Sequence, residues 1–201
     1  MINSMRLVRT VSVVCALGTT ALLAPIVSNA WADGPSLINL NACNPSALSQ
    51  PFARWLDFAD YELAPSGDFE SSGWTLTRGA RLAAGSEPYA ATGTLGSSSL
   101  SLPTGSSAES PPTCVDAAYP SIRFFIAGTG SVAVDVVDGG SVIPVGVAVA
   151  GGEWSPTPMM LTLSVVLGAQ SGGTAEVSLT FTGLSGDPKI DDVFVDPYCH
   201  G

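Results

Sequence analysis

Apolar and polar residues alternate in short runs over most of the chain after Gly67. In the run VSLTFT, an extended backbone places Val177, Leu179 and Phe181 on one face and Ser and Thr on the other. Similar runs are SLSL at 99–102, IRFFI at 122–126, VAVDVV at 132–137 and LTLSVVL at 161–167. This alternation is typical of antiparallel sheets that are buried on one face.

Turn-forming residues separate these runs. Asp138-Gly139-Gly140 between two valine-rich runs predicts a β-hairpin, and Gly, Pro or Ser stand at nearly every other junction. No amphipathic pattern of helical period continues for as many as about ten residues. The sequence therefore predicts an all-β fold: a single β-sandwich of jelly-roll type with about eight to ten strands.

Residues 33–66 differ in composition from the rest, being rich in Asn, Pro, Ser and Ala around the aromatic stretch PFARWLDFADY. We interpret them as an irregular N-terminal arm on a sandwich domain of residues 67–201. Four aromatic side chains of the arm are expected to pack on that domain: Phe52, Trp55, Phe58 and Tyr61. The first three have the spacing of a single helical turn. A surface for stacking sugars is the alternative role for these residues.

Residues 1–32 have the layout of a secretory signal peptide. Arg6 and Arg9 form a positive n-region, an uncharged apolar stretch follows, and cleavage patterns end at Ala30 and at Ala32. The apolar stretch is shorter than the ~18 residues that a membrane-spanning helix needs. We therefore expect a secreted, extracellular protein that does not insert into a membrane.

The charge balance argues against one class of partner. Loss of Arg6 and Arg9 with the leader changes the formal net charge from −10 to −12, with five basic and seventeen acidic residues remaining. Five basic side chains are too few to neutralise the phosphates of a nucleic acid or an anionic membrane, so neither is an expected partner. The acidity favours solubility outside the cell or, where carboxylates gather, cation binding. We expect a monomer.

The sequence lacks the motifs of common catalytic sites. It has no G-x-S-x-G elbow, no P-loop, no G-x-G-x-x-G after a strand and no H-E-x-x-H, and its single histidine, His200, is next to the last residue. A glycosidase needs a pair of carboxylates, for which Asp135, Glu153 and Glu176 are available. Each of them lies in an alternating strand or a turn, where charges ordinarily face solvent. The sequence predicts a protein without catalytic activity.

Three cysteines remain after the leader: Cys43, Cys114 and Cys199. In an oxidising compartment we expect one disulfide and one remaining thiol, and three pairings are open. We favour Cys43–Cys114, because Cys199 lies two residues from the C-terminus and is expected to be loosely held. Closing that loop would stabilise the fold by roughly 4 kcal/mol.

Three segments between residues 67 and 195 carry a recognisable pattern. GDFESSGWTLTRGARL has a G-x-F-E opening followed by Trp, GGEWSPTPMMLTLSVV has a turn Trp before a strand, and AEVSLTFTGLSGDPKIDDVFV ends in I-D-D-V. In order and spacing they resemble the carbohydrate-binding-module-like jelly rolls of the galactose-binding-like superfamily. The resemblance implies a fold whose members bind glycans on a sheet face or at loop ends, by stacking aromatic residues on sugar rings.

The I-D-D-V segment places two adjacent carboxylates, Asp191 and Asp192, in a predicted strand. Neighbours in a strand point to opposite faces, so either Asp191 or Asp192 is expected to point inward, where an unpaired charge is unfavourable. The resemblance implies a structural Ca²⁺ where the opening and closing strands meet. Its ligands would be Glu70, Asp191 and backbone carbonyls, with Asp192 as an alternative ligand or partner. In the other interpretation one Asp faces solvent and the other accepts backbone N–H bonds in a turn.

The residues of a glycan site do not follow from the resemblance, because they vary in position among these modules. Trp74 and Trp154 match positions that pack in the core, and the loop residues Tyr89 and Tyr119 are candidate contacts. The leading hypothesis is a secreted, non-catalytic binding module for carbohydrate or another cell-surface ligand. The alternative is a structural protein of the extracellular envelope or matrix without a small-ligand site.

Overall fold

Eleven antiparallel strands and one short 3₁₀ helix make up the part of the chain that the structure describes. That structure, a computed structural model, describes residues 47–116, 121–161 and 174–196. All of them belong to the unit that extends from Pro35 to Gly201. The 3₁₀ helix is Ala53–Trp55, and the strands are β1 Glu62–Leu63, β2 Thr75–Thr77, β3 Arg81–Ala84, β4 Ser98–Ser101, β5 Ser107–Glu109, β6 Thr113–Asp116, β7 Ser121–Asp138, β8 Ser141–Pro156, β9 Met160–Leu161, β10 Thr174–Gly186 and β11 Lys189–Asp196.

The strands form two halves that share β7. The pairing order is β2-β5-β10-β7-β11-β4-β3, and β8 runs beside β7. The first half of β7 pairs with β11 and the second half with β10. Between the two, Gly128 and Gly130 have φ angles of 85° and 111°, which let the strand bend. The predicted all-β sandwich of jelly-roll type is confirmed.

The core between the halves consists of the inward residues of the alternating runs. Val177, Leu179 and Phe181 are 2%, 0% and 0% exposed, as the alternation predicts. Phe124 of β7 meets Phe181 of β10 edge to face, with 5.1 Å between the ring centroids. Because each buried side chain of this size contributes about 1.5–3 kcal/mol, the apolar face of each strand dominates its placement.

The hairpin predicted at residues 138–140 joins β7 to β8. Asp138 pairs with Ser141, and Gly139 and Gly140 have φ angles of 54° and 89°. Positive φ at both central positions is what a two-residue turn between twisted strands requires. The hairpin prediction is confirmed.

The described part of the arm packs on the sandwich through aromatic residues. Phe52 and Tyr61 are fully buried and form a second apolar cluster with Phe125 and Phe194. The chain then enters β1, which pairs with β11. The predicted packing of the arm is confirmed for these two residues, and its helical turn is the 3₁₀ helix.

Phe58 departs from the prediction for the arm. Its side chain is 64% exposed rather than packed. The residue that caps the 3₁₀ helix, Leu56, has a left-handed φ of 63°, which redirects the chain two residues before Phe58. Helical spacing therefore ends one turn earlier than the aromatic pattern suggested.

A buried ion pair joins the arm to β7. The side chains of Arg123 and Asp57 are 9% and 15% exposed and form a salt bridge. Arg123 also donates to the Thr157 carbonyl from Nε at 2.9 Å and from Nη2 at 2.7 Å. The Tyr61 hydroxyl donates to Asp57 at 2.8 Å, and the guanidinium carbon lies 4.2 Å from the Phe52 ring centroid. Both charges are thus partnered where solvent is largely excluded.

Residues 1–32, Cys43, Tyr119 and Cys199 lie outside the described ranges, and the Cys114 side chain is not described. The leader, the Cys43–Cys114 disulfide and the Tyr119 contact therefore stay predictions. Within the described residues, no helix is long and apolar enough to cross a membrane.

Candidate functional site

The opening and closing segments of the sandwich meet beside β11. The Val193 N–H donates to the Gly67 carbonyl at 3.0 Å, and the Ala64 N–H donates to the Val193 carbonyl at 2.8 Å. A Cβ on Gly67 would lie 2.8 Å from the Val193 oxygen, so this approach requires glycine. The G-x-F-E and I-D-D-V segments are thereby brought together, as the resemblance implied.

Both members of the aspartate doublet point into the protein. Asp191 is 0% exposed and Asp192 is 3% exposed. The pairing of β11 with β7 is irregular between Asp191 and Phe194, and Asp192 has a left-handed φ of 46°. The bulge breaks the strand alternation. The expectation that one aspartate faces solvent is therefore wrong.

Asp191 is held by three donors. Its Oδ2 accepts the Ser86 hydroxyl at 2.6 Å and the Glu87 N–H at 2.8 Å, and its Oδ1 accepts the Asp192 N–H at 3.0 Å. Burial nevertheless raises the pKa of Asp191 to about 6, because desolvation of the charged form outweighs these hydrogen bonds.

A third buried carboxylate, Glu87, lies beside the doublet. It is 1% exposed, and its oxygens accept the N–H groups of Tyr89 and, at 2.8 Å, Ala91. Burial, followed by the charges of Asp191 and Glu87, raises the pKa of Asp192 to about 8. We call Glu87, Asp191 and Asp192 the acid cluster. No motif in the sequence around Glu87 pointed to this position.

Glu70 lies near the acid cluster but binds a different loop. Its carboxylate accepts the Ser97 N–H at 2.6 Å, the Ser97 hydroxyl at 2.7 Å and the Ser98 N–H at 2.7 Å. The hydroxyl bond, followed by the two backbone bonds, lowers the pKa of Glu70. A Cβ on Gly96 would lie 2.8 Å from both Glu70 Oε1 and Ser86 Oγ, so Ser86 stands between Glu70 and Asp191.

The residues present have the oxygen donors that calcium prefers. Within the described ranges, no three Asp, Glu, His or Cys side chains converge as a metal-binding group. An ion would therefore be held by two carboxylates together with backbone carbonyls, a mixture that calcium tolerates because its coordination is irregular. The expected ligands are Glu70 and Asp191, with Asp192 as the alternative, but both oxygens of Glu70 and of Asp191 already accept N–H or O–H donors, which an ion would have to replace. The predicted calcium site stays a prediction.

A half-buried aromatic group lies over the second apolar cluster. Its members are Trp55, Tyr89 and Trp154, which pack against that cluster and remain partly exposed. The rings of Trp55 and Tyr89 meet edge to face with 5.0 Å between centroids, and the Tyr89 hydroxyl donates to the Trp154 carbonyl at 2.6 Å. Arg54, which is exposed, adds a guanidinium over two of these rings. We call these four residues the aromatic surface.

Of the two tyrosines predicted as ligand contacts, Tyr89 belongs to the aromatic surface. Trp154, expected in the core, is only partly buried and packs against the second apolar cluster. Trp74 packs against the main core, as predicted. No local pattern places Trp55 beside Tyr89, because they are far apart in the chain. A hydrogen bond joins the acid cluster to the aromatic surface: the Glu87 carboxylate accepts the backbone N–H of Tyr89.

No protein-family model and no curated protein matches the sequence. Solved structures are similar to it in fold. One is the C-terminal CBM6 module of LamC, a laminarinase from Zobellia galactanivorans, with 18% identity, a TM-score of 0.39, and coverage of 59% of this chain and 89% of the module. Another is the CBM22-1 xylan-binding domain of Paenibacillus barcinonensis Xyn10C, with 12% identity, a TM-score of 0.40 and coverage of 67% and 94%.

A third similar structure is the enzymatically active domain of bacteriophage CBA120 tailspike protein 4, with 15% identity and a TM-score of 0.40. The match covers 67% of this chain but only 21% of the tailspike chain. The two modules belong to the class of carbohydrate-binding modules that the sequence resembles. What this chain binds depends on its own side chains.

Proposed function

We propose that this chain is an exported, non-catalytic carbohydrate-binding module, and that the aromatic surface is its glycan site. The observation that carries this proposal is the half-buried group of Trp55, Tyr89 and Trp154, set on a rigid apolar cluster. Rings of this kind offer an apolar face to the C–H face of a sugar, while their polar atoms keep partners. Because the rings are already ordered, little conformational entropy is lost on binding.

Affinity electrophoresis against a panel of neutral and acidic polysaccharides, with and without calcium, tests this function. Trp55→Ala is expected to weaken binding by about 2 kcal/mol, or about thirtyfold in Kd, as removal of a central aromatic contact does. Phe58→Ala is the matched control, because Phe58 is an exposed aromatic of the same arm outside the cluster. If no polymer retards the wild-type protein under any condition, the structural-protein alternative replaces this function.

We also propose that one calcium ion binds at Glu70 and Asp191, with Asp192 as the alternative ligand. The support is electrostatic: three buried carboxylates raise one another's energy, and within the described residues the two salt bridges involve other acids. A cation would compensate this charge. Calcium would supply charge neutralisation and join the opening and closing segments, whereas no chemical reaction is assigned to it.

Export and the disulfide belong to the same proposal. A protein with the leader of residues 1–32 is expected to be found outside the cell as a monomer, beginning at Trp31 or Asp33. Peptide mapping without reducing agent is expected to yield a Cys43–Cys114 peptide. A peptide that links Cys199 to either of the others would contradict this pairing.

A further inference from the structure

Arg54 gives the aromatic surface a positive charge in a fixed place. Its guanidinium carbon lies 5.2 Å from the Trp55 ring centroid and 4.9 Å from that of Tyr89. Arg54 and Trp55 are neighbours in the 3₁₀ helix, so the charge is anchored beside the rings by the same short element. Interaction of the cation with the ring faces limits the freedom of an otherwise flexible side chain.

Arg54 has no acidic partner among the residues that the structure describes. Within the described ranges the salt bridges are Arg81–Asp187 and Arg123–Asp57, and no hydrogen bond of the Arg54 guanidinium is found there. Arg123 differs from Arg54. Its guanidinium also lies over a ring, but it is buried and donates to the Thr157 carbonyl. Arg54 is exposed beside these rings, and a guanidinium carries five N–H donors.

We propose that Arg54 makes the aromatic surface selective for glycans that carry carboxylate groups, such as polymers of uronic acids. The inference rests on the proposed carbohydrate function and names the sugar class for that site. The sugar ring would pack against Trp55 and Tyr89, and its carboxylate would accept N–H bonds from the guanidinium. A planar guanidinium matches a carboxylate in a two-bond geometry that an ammonium does not reproduce.

The acidity of the whole protein does not prevent this contact. At physiological ionic strength the Debye length is about 8 Å, so distant carboxylates act weakly on a bound sugar. Of the nearby acids, Asp57 is engaged by Arg123, and Glu87 is buried under the Tyr89 loop with its oxygens accepting backbone N–H groups.

The test compares two ligands that differ only in charge: oligogalacturonate and its methyl ester, titrated at physiological ionic strength. Wild type is expected to bind the acid at least about tenfold more tightly than the ester, a difference of about 1.4 kcal/mol. Arg54→Gln is expected to abolish the preference, and Arg54→Lys to retain part of it. Arg78→Gln removes one charge from an exposed residue outside the aromatic surface and is expected to keep the full preference.

The outcomes separate the two proposals. If wild type binds the ester as tightly as the acid, or if Arg54→Gln retains the preference, the selectivity is overturned while the carbohydrate function stands. If neither ligand binds and the neutral polysaccharides of the panel also fail, the carbohydrate function fails together with it. Near-ultraviolet circular dichroism of each variant shows that the aromatic cluster is intact, so loss of preference is not loss of fold.

Discussion

Asp192 has a left-handed backbone conformation, and this one residue decides what the acid cluster contains. In a regular strand its side chain would point away from that of Asp191. With φ at 46° it turns inward as well and joins Glu87. Aspartate is among the residues that tolerate this conformation, although it remains less favourable than in glycine. Burial beside Asp191 and Glu87 raises the pKa of Asp192, because the charged form is desolvated and repelled there.

Asp57→Asn is expected to lower the free energy of unfolding by about 3–5 kcal/mol. The substitution leaves the buried guanidinium of Arg123 without a counter-charge, and the arm loses its polar link to β7. Urea unfolding followed by tryptophan fluorescence measures the change.

Arg81→Gln is the control for this prediction. Its ion pair with Asp187 has side chains 56% and 50% exposed, so its loss is expected to change stability by no more than about 1 kcal/mol. Equal effects of the two substitutions would show that the Arg123 pair is not shielded from solvent.

The loop between β3 and β4 connects the two candidate sites. Ser86 and Glu87 donate to Asp191, and the Glu87 carboxylate in turn accepts the N–H groups of Tyr89 and Ala91. The loop therefore depends on buried carboxylates on one side and carries a ring of the aromatic surface on the other. Its conformation is stabilised by hydrogen bonds to β11 and by a turn of its own, in which the Gly93 N–H donates to the Ala90 carbonyl at 2.8 Å.

Strand β7 can serve both halves of the sandwich because of Gly130. A Cβ at this position would lie 1.8 Å from the Ser185 carbonyl oxygen of β10, and its φ is 111°. Gly130→Ala is therefore expected to destabilise the fold by about 1–3 kcal/mol more than the backbone strain alone. The comparison is Gly140→Ala in the hairpin turn, where φ is 89° but no atom lies within 4 Å of the added Cβ.

For Gly140→Ala we expect only the strain of the left-handed conformation, about 1–2 kcal/mol. Urea unfolding of the two variants, compared with wild type, gives both values. Equal losses would mean that β7 and β10 do not approach closely at Gly130.

Without a cation, the free energy of unfolding of the whole protein is expected to contain a component that falls as pH rises. Burial raises the pKa of Asp191 to about 6 and that of Asp192 to about 8, from the ordinary value of 3.8 that is expected in the unfolded chain. The folded state thus keeps protons that the unfolded state has released. The resulting stability is complete below about pH 4 and is lost as pH passes through about 8. Asp192→Asn is expected to flatten this dependence, as measured by unfolding in chelator.

If the proposed calcium ion binds, it is expected to reverse that loss, because its ligands would be the deprotonated carboxylates. At a hundredfold excess over Kd it would add about 2.7 kcal/mol. For a domain of this size, that is a rise in Tm of roughly 5–10 °C near pH 8, with a smaller rise at acid pH. Asp191→Asn and Glu70→Gln are expected to remove the effect. Identical melting of wild type in calcium and in chelator, after a check that no ion survived dialysis, would exclude the site.

The amino-acid sequence was sufficient for the strands in the runs 99–102, 122–126, 132–137 and 177–182, and for the core face of the last of them. It was not sufficient for the core face of every run, because both faces of 122–126 are buried and Leu161 is 60% exposed. Alternation along VSLTFT predicted which side chains are buried, because a strand has a period of two residues and apolar burial is the largest local contribution to its orientation. The Asp138-Gly139-Gly140 turn was predictable for a similar reason, since glycine and aspartate accept conformations that other residues avoid. These are properties of neighbouring residues, and they need no knowledge of distant parts of the chain.

The candidate sites depend on contacts between residues that are distant in the chain. Trp55 meets Tyr89, and Glu87 meets Asp192, only because β11 pairs with β1, β4 and β7 and brings their loops together. The inward turn of Asp192 follows from the bulge at the place where β11 contacts the opening segment. Local periodicity carries no information about such meetings, because they are set by the pairing of strands and by the desolvation of charges that the pairing brings together.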